Sequence, residues 1–143
     1  MDTLVKRIDS NTKGGGALWL GEHHNSAADH SVQAQLLREI HERRGGNRGP
    51  VAVGLEQVQV KFQSVLDDFS RGKLSTAEMR RFVEWDKRWM WPFEVYQPVF
   101  ETARDLKMPL IALNVNSEDL ELVEKGGLPG LPRDRLQQYI SDV

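Results

Sequence analysis

Cysteine is missing from the sequence altogether. Its absence excludes disulfides, thiolate zinc sites, thiolate haem ligation and a cysteine nucleophile. Any metal has to be held by His, Asp, Glu, Asn, Tyr or Met. Neither sign of charge predominates: 19 Lys and Arg stand against 21 Asp and Glu, for a net charge of -2. No basic face is therefore expected, and nucleic acid is not an expected partner. No apolar run approaches the roughly 18 residues of a membrane-spanning helix. A glycine-rich phosphate loop is also lacking, because Gly14 to Gly16 precede the first apolar run instead of following a strand. The opening MDTLVKRIDSNTKGGG has acidic interruptions and no apolar centre, so it does not read as a secretory signal.

What is present fits one globular domain: 143 residues, 39% hydrophobic and 28% charged. Three short apolar runs read as strands: Ala17 to Leu20, Val51 to Leu55 and Leu110 to Leu113. Between the first two, Asp29 is placed to cap a helix reaching about Arg43, with Val32, Leu36, Leu37 and Ile40 on its apolar face. The loop GGNRGP follows it. A helix from about Gln57 carries Val58, Phe62, Val65, Leu66 and Phe69 on one side, and Arg71-Gly72-Lys73 stops it. Ser75 and Glu78 have capping-box spacing at the start of a further helix. Pro92 can start another, which Pro98 kinks or whose regular part it delays, with Phe100, Ala103 and Leu106 then facing the core. Short helices over about Asp119 to Glu124 and Arg133 to Ile140 close the chain.

Uninterrupted apolar strands separated by helices point to an α/β fold with a parallel sheet buried on both faces. Two successive helices without a strand between them suggest an excursion from simple strand-helix alternation, over residues 57–90. Three strands make a thin sheet, and the sequence stops after a helix, where another strand is due. The domain over 1–143 therefore reads as the N-terminal part of a larger one, or as one needing a partner at its sheet edge.

Parallel strands put their carboxyl ends on one rim, where open α/β sheets bind ligands. Gly21-Glu22-His23-His24, Glu56-Gln57 and Asn114-Val115-Asn116 all leave that rim. Glu22, His24, His30 and Glu56 are candidates to surround a divalent metal ion. Alternatively, Glu56 orients His24 as a general base. HHNSAADH is not the HExxH zinc signature. Trp85, Trp89 and Trp91 pack the excursion against the sheet or form an apolar wall for a flat ligand such as a porphyrin, and Tyr96 beyond them can pack or ligate ferric iron.

The stretches LGEHHNSAADHSVQAQLL, VAVGLEQVQVKFQSVLDDF, EWDKRWMWPFEVYQPVFETA and PLIALNVNSEDLELVEKGGLPGL together resemble the ChaN-like haem-binding uptake family, within the Tiki/TraB/erythromycin-esterase-like superfamily. Their wording is most similar to the plant and algal branch, which implies a chloroplast setting. In the superfamily a G-x-x-H motif after the first strand pairs with a later glutamate. Gly21 with His24, and Glu56, match it here; Glu22 matches the acid after the glycine, and His30 a further histidine at the start of the next helix. Bacterial members often carry Asp-Asn after the histidine, where this chain has Asn25-Ser26.

The resemblance implies a parallel sheet flanked by helices with a small inserted helical subdomain, which residues 57–90 fit. It also implies haem or tetrapyrrole binding in iron handling, with His24, His30, Tyr96 and Trp89 as cofactor-binding candidates and a homodimer as the assembly. Two alternatives stand beside it. One is a metal-dependent or histidine-assisted hydrolase of ester or amide bonds, using His24 and Glu56. The other is a non-catalytic chloroplast interaction domain.

Overall fold

A computed structural model describes residues 2–11, 16–44 and 51–140. The glycines before Gly16 and the loop GGNRGP lie outside the described residues. In chain order the elements are α1 (Asp2–Asn11), α2 (Ala27–Arg44), β1 (Val53–Gln59), a short 3-10 turn (Val60–Phe62), α3 (Gln63–Ser70), α4 (Thr76–Phe82), α5 (Trp85–Arg88), α6 (Phe93–Asp105), β2 (Leu110–Asn114), α7 (Leu120–Gly126), a second 3-10 turn (Leu128–Gly130) and α8 (Arg133–Leu136).

The architecture is α/β: β1 and β2 form a parallel two-stranded sheet flanked by helices. Val53 pairs with Leu110 and Leu55 with Ala112, and the register is irregular between Leu55 and Gln59. One core joins Leu55, Leu110 and Ala112 of the sheet to Leu66 and Phe69 of α3, Met79 of α4, Trp85 of α5, and Phe93, Tyr96 and Phe100 of α6. Ala34 and Leu37 of α2 reach the same core, and α2 packs against α6. A smaller cluster holds α1 to α2 through Val5, Leu36 and Ile40.

Several local expectations hold. The Ser75–Glu78 capping box is formed in both directions. α3 ends where Gly72 takes a left-handed φ of 73° and donates its N–H to the Phe69 carbonyl at 2.9 Å, a conformation without steric cost for glycine. Pro92 stands immediately before α6, and Pro98 lies inside it.

Others are corrected. Residues 17–20 form no strand; they line a cavity of about 410 Å³ together with residues 51–57, so no ladder joins them to β1. Leu18, Trp19 and Leu20 accordingly remain 44%, 86% and 44% exposed. The sheet is covered on one face only, since Ile111 and Leu113 are 43% and 52% exposed. Gln57 and Val58 belong to β1, which runs to Gln59 before the chain turns helical. Val32 points to solvent, and Ala34 and His30 join Leu36, Leu37 and Ile40 on the buried side of α2.

The capping box gives a direct check. Ser75→Ala removes the acceptor for the Glu78 N–H and is expected to cost about 1 kcal/mol in urea denaturation. Val32→Ala, on the exposed side of α2, is expected to stay within about 0.5 kcal/mol of the parent.

Candidate functional site

The loop that ends the first apolar run is built by Ser26 and Asp29. Ser26 Oγ accepts from the Asp29 N–H at 3.1 Å and donates to Asp29 Oδ1 at 2.9 Å. Ser26, not Asp29, therefore caps α2; Asp29 sits in its first turn, where a negative charge meets the positive end of the helix. Asp29 Oδ2 accepts from the His23 backbone N–H at 2.9 Å and lies 3.0 Å from His23 Nδ1. His23 is thereby pinned outward, with its side chain 87% exposed.

With His23 turned away, His24 turns inward. Its Nδ1 lies 3.2 Å from Glu22 Oε1, 3.1 Å from the Tyr96 hydroxyl and 3.8 Å from Glu56 Oε1. Trp89 meets the His24 ring edge-on at 5.4 Å, and Trp91 lies nearly parallel to it at 5.7 Å. One ligand atom from each of Glu22, His24 and Glu56 falls within 4.8 Å of the others, which is a candidate arrangement for a metal ion.

Glu22 is the most heavily engaged of these groups, and its side chain is 8% exposed. Gln33 of α2 donates to Oε2 at 2.6 Å, and Gln57 of β1 donates to Oε1 at 3.1 Å. His30 Nε2 stands 3.2 Å from Oε2 but is misaligned, so neither nitrogen of this fully buried ring has a hydrogen bond. The His30 ring packs on Tyr96 at 4.0 Å. Burial pushes the Glu22 carboxyl up, yet the Gln33 donor and the adjacent His30 and His24 rings outweigh it and hold it below its ordinary 4.5. Burial, reinforced by the charges of Glu22 and Glu56 and only partly offset by Trp89, pushes the Tyr96 phenol up to about 12.

The structure thus gathers Glu22, His24, His30, Glu56, Trp89 and Tyr96 around one end of the rim. His23 and His41 are exposed. Asn116 belongs to a separate network: its Oδ1 accepts from the Lys61 N–H at 2.9 Å, and its amide donates to Gln138 and Asp119. Asp119 also takes the Tyr139 hydroxyl and Arg135. Sequence reasoning did not assign Gln33 or Gln57. The signal for Gln33 was its spacing of three from His30 on α2, which stacks both on one side of the helix.

Two carboxylates of the first loop, Glu22 and Asp29, contribute to the acid limb of stability beside others such as Glu118. Glu22 and Asp29 have folded values below their ordinary ones, so each stabilises the fold above its ordinary value and loses that contribution as pH falls. For Asp29 the window runs from 3.8 down to about 2, set first by the His23 backbone donor. Denaturation midpoints are expected to fall as pH drops through this range, and Asp29→Asn is expected to flatten that slope. An unchanged slope in the variant contradicts the Asp29 assignment.

Neither the curated proteins nor the solved structures give a significant match to this chain. Residues 11–142 match the family described as haem-binding uptake, Tiki superfamily, ChaN. With nearly the whole chain covered, and with an acid and a histidine from the first loop meeting a glutamate from β1, this protein belongs to the ChaN haem-binding uptake family of the Tiki superfamily.

Proposed function

We propose that the rim binds haem or a related tetrapyrrole, in iron or haem handling, with His24 as the nitrogen ligand. The observation that carries this reading is the one-sided use of the His24 ring. Nδ1 faces Glu22, Tyr96 and Glu56, and the ring is 36% exposed. An imidazole that gives one N–H to a carboxylate is fixed in one tautomer and made a stronger donor at its other nitrogen. Nε2 is that nitrogen here.

The surrounding residues fit such a group. Trp89 and Trp91 offer aromatic surface beside the imidazole. Tyr96 has its hydroxyl on His24 and its ionisation pushed up to about 12, so it acts through His24 as a neutral phenol. His30 supports Tyr96 from below. A bound haem would supply a redox-active iron whose properties depend on this ligand and its hydrogen bond.

A second reading is a divalent cation held by Glu22, His24 and Glu56, and their convergence within 4.8 Å favours it. This mode uses Nδ1 and both carboxylates, so the two readings differ in their dependence on Glu56. Metal-stripped protein is titrated with ferric haem and, separately, with Co²⁺, following the visible spectrum. The haem reading expects a saturable spectrum that is lost in His24→Ala and kept in Glu56→Gln. The cation reading expects saturable Co²⁺ binding lost in both variants. Weak, non-saturable haem association that no variant alters overturns the first, and absence of Co²⁺ binding overturns the second.

A further inference from the structure

The aromatic groups beside His24 come from a short segment that the chain fastens unusually well. Trp85 is buried in the core, and its Nε1 donates to the Trp91 carbonyl at 2.8 Å, closing residues 85–91 into a loop. Glu84, which opens α5, has a left-handed φ of 54°. Between these points sits Arg88, whose side chain is only 9% exposed.

The Arg88 guanidinium uses its whole fork. Nε donates to Glu84 Oε2 at 2.6 Å, Nη1 to Gln59 Oε1 at 3.0 Å and Nη2 to Glu118 Oε1 at 3.1 Å. Its flat side lies over the Phe62 ring at 5.3 Å. Gln59 is the last residue of β1, and Glu118 follows β2. Gln59 is itself held on the far side, accepting from the Ser117 N–H at 3.1 Å and donating to Ser117 Oγ at 2.6 Å. One side chain thus ties α5 to the carboxyl ends of both strands, and the next residue along the chain is Trp89.

We propose that Arg88 is a positioning residue: by gripping Gln59, Glu84 and Glu118 it holds Trp89 and Trp91 against His24. A planar fork with three acceptors in place fixes orientation, which a lysine ammonium on a flexible stem does not. The strand that anchors Arg88 through Gln59 also carries Glu56, so the clamp locks the aromatic side of the rim to its acidic side. The consequence for binding rests on the reading of His24 as the ligand; the geometric claim does not.

The test uses the full chain, labelled with ¹³C in its histidines and free of metal and haem. Ring currents from the two indoles displace the His24 ring protons in the parent protein, and Tyr96 does the same for His30. In Arg88→Ala the His24 resonances are expected to return toward their usual positions while those of His30 stay in place. Arg88→Lys is expected to give an intermediate shift. Haem or Co²⁺ affinity, whichever the parent shows, is expected to fall roughly 10–100-fold in Arg88→Ala, as for loss of other outer supports of a ligand.

A folded Arg88→Ala protein with unmoved His24 resonances overturns the proposal, as does a joint shift of His24 and His30. Should Arg88→Ala fail to fold, Gln59→Leu and Glu118→Leu remove single arms of the clamp and are read in the same way. Unfolding of all three makes Arg88 a global stability element and also overturns the positioning role. A selective His24 shift in a protein that binds neither haem nor Co²⁺ supports the clamp while removing the ligand reading.

Discussion

The rim depends on one nearly buried carboxylate. Withdrawing an ionised Glu22 from water costs on the order of several kcal/mol unless other donors replace the solvent. Gln33 and Gln57 do so from two different elements, and His24 and His30 flank the same group. The first loop, α2 and β1 are thus brought together by the needs of a single acid. Because Gln33 and Gln57 are neutral amides, they satisfy its lone pairs without cancelling its charge. Such a group remains attractive to a cation or to an imidazole N–H, as a carboxylate already neutralised by arginine is not.

The Trp85–Trp91 segment does complementary work. It surrounds a partly exposed imidazole with apolar surface, which lowers the local dielectric and strengthens the link between His24 and Glu22. The Trp85 indole is satisfied by the Trp91 carbonyl and the guanidinium of Arg88 by its acceptors, while the Trp89 Nε1 is buried without a hydrogen bond among the described residues. The site therefore has a charged floor built from strand and helix side chains and an aromatic side built from the helical excursion. Membership of a haem-binding uptake family accords with that pairing of an imidazole and aromatic surface.

Much of this was legible in residue order, and the exceptions have physical reasons. β1, β2 and the core positions of α6 follow from apolar runs and helical spacing, which burial enforces directly. The capping box was readable because its two members lie three residues apart and satisfy each other locally. The meeting of Glu22 and His24 with Glu56 was expected from a first strand ending beside β1; the structure brings them together without that strand, through a loop tied to α2 and β1 by Gln33 and Gln57. The run at 17–20 has the composition of a strand but pairs with neither edge of the two-stranded sheet, and composition alone does not set strand pairing. Gln57 was placed at the rim without a role and Gln33 was not singled out, because amides occur everywhere on surfaces; their role appears only once Glu22 is seen between them. Arg88 was equally hidden, because two of its three acceptors, Gln59 and Glu118, lie 29 and 30 residues away in sequence.

Pro98 brings a further consequence to α6. A proline at this interior position has no N–H to give to the Glu94 carbonyl, and its ring crowds that carbonyl. The helix is one rung short across the turn that carries Tyr96. Tyr96 is the side chain that touches both histidines, stacking on His30 and bonding to His24. The most tightly surrounded phenol of the site thus rides on the most weakly stitched turn of its helix. The position of the hydroxyl beside His24 is therefore secured more by the packing of the Tyr96 ring than by the backbone ladder beneath it, whereas Phe100 and Ala103 lie beyond the missing rung.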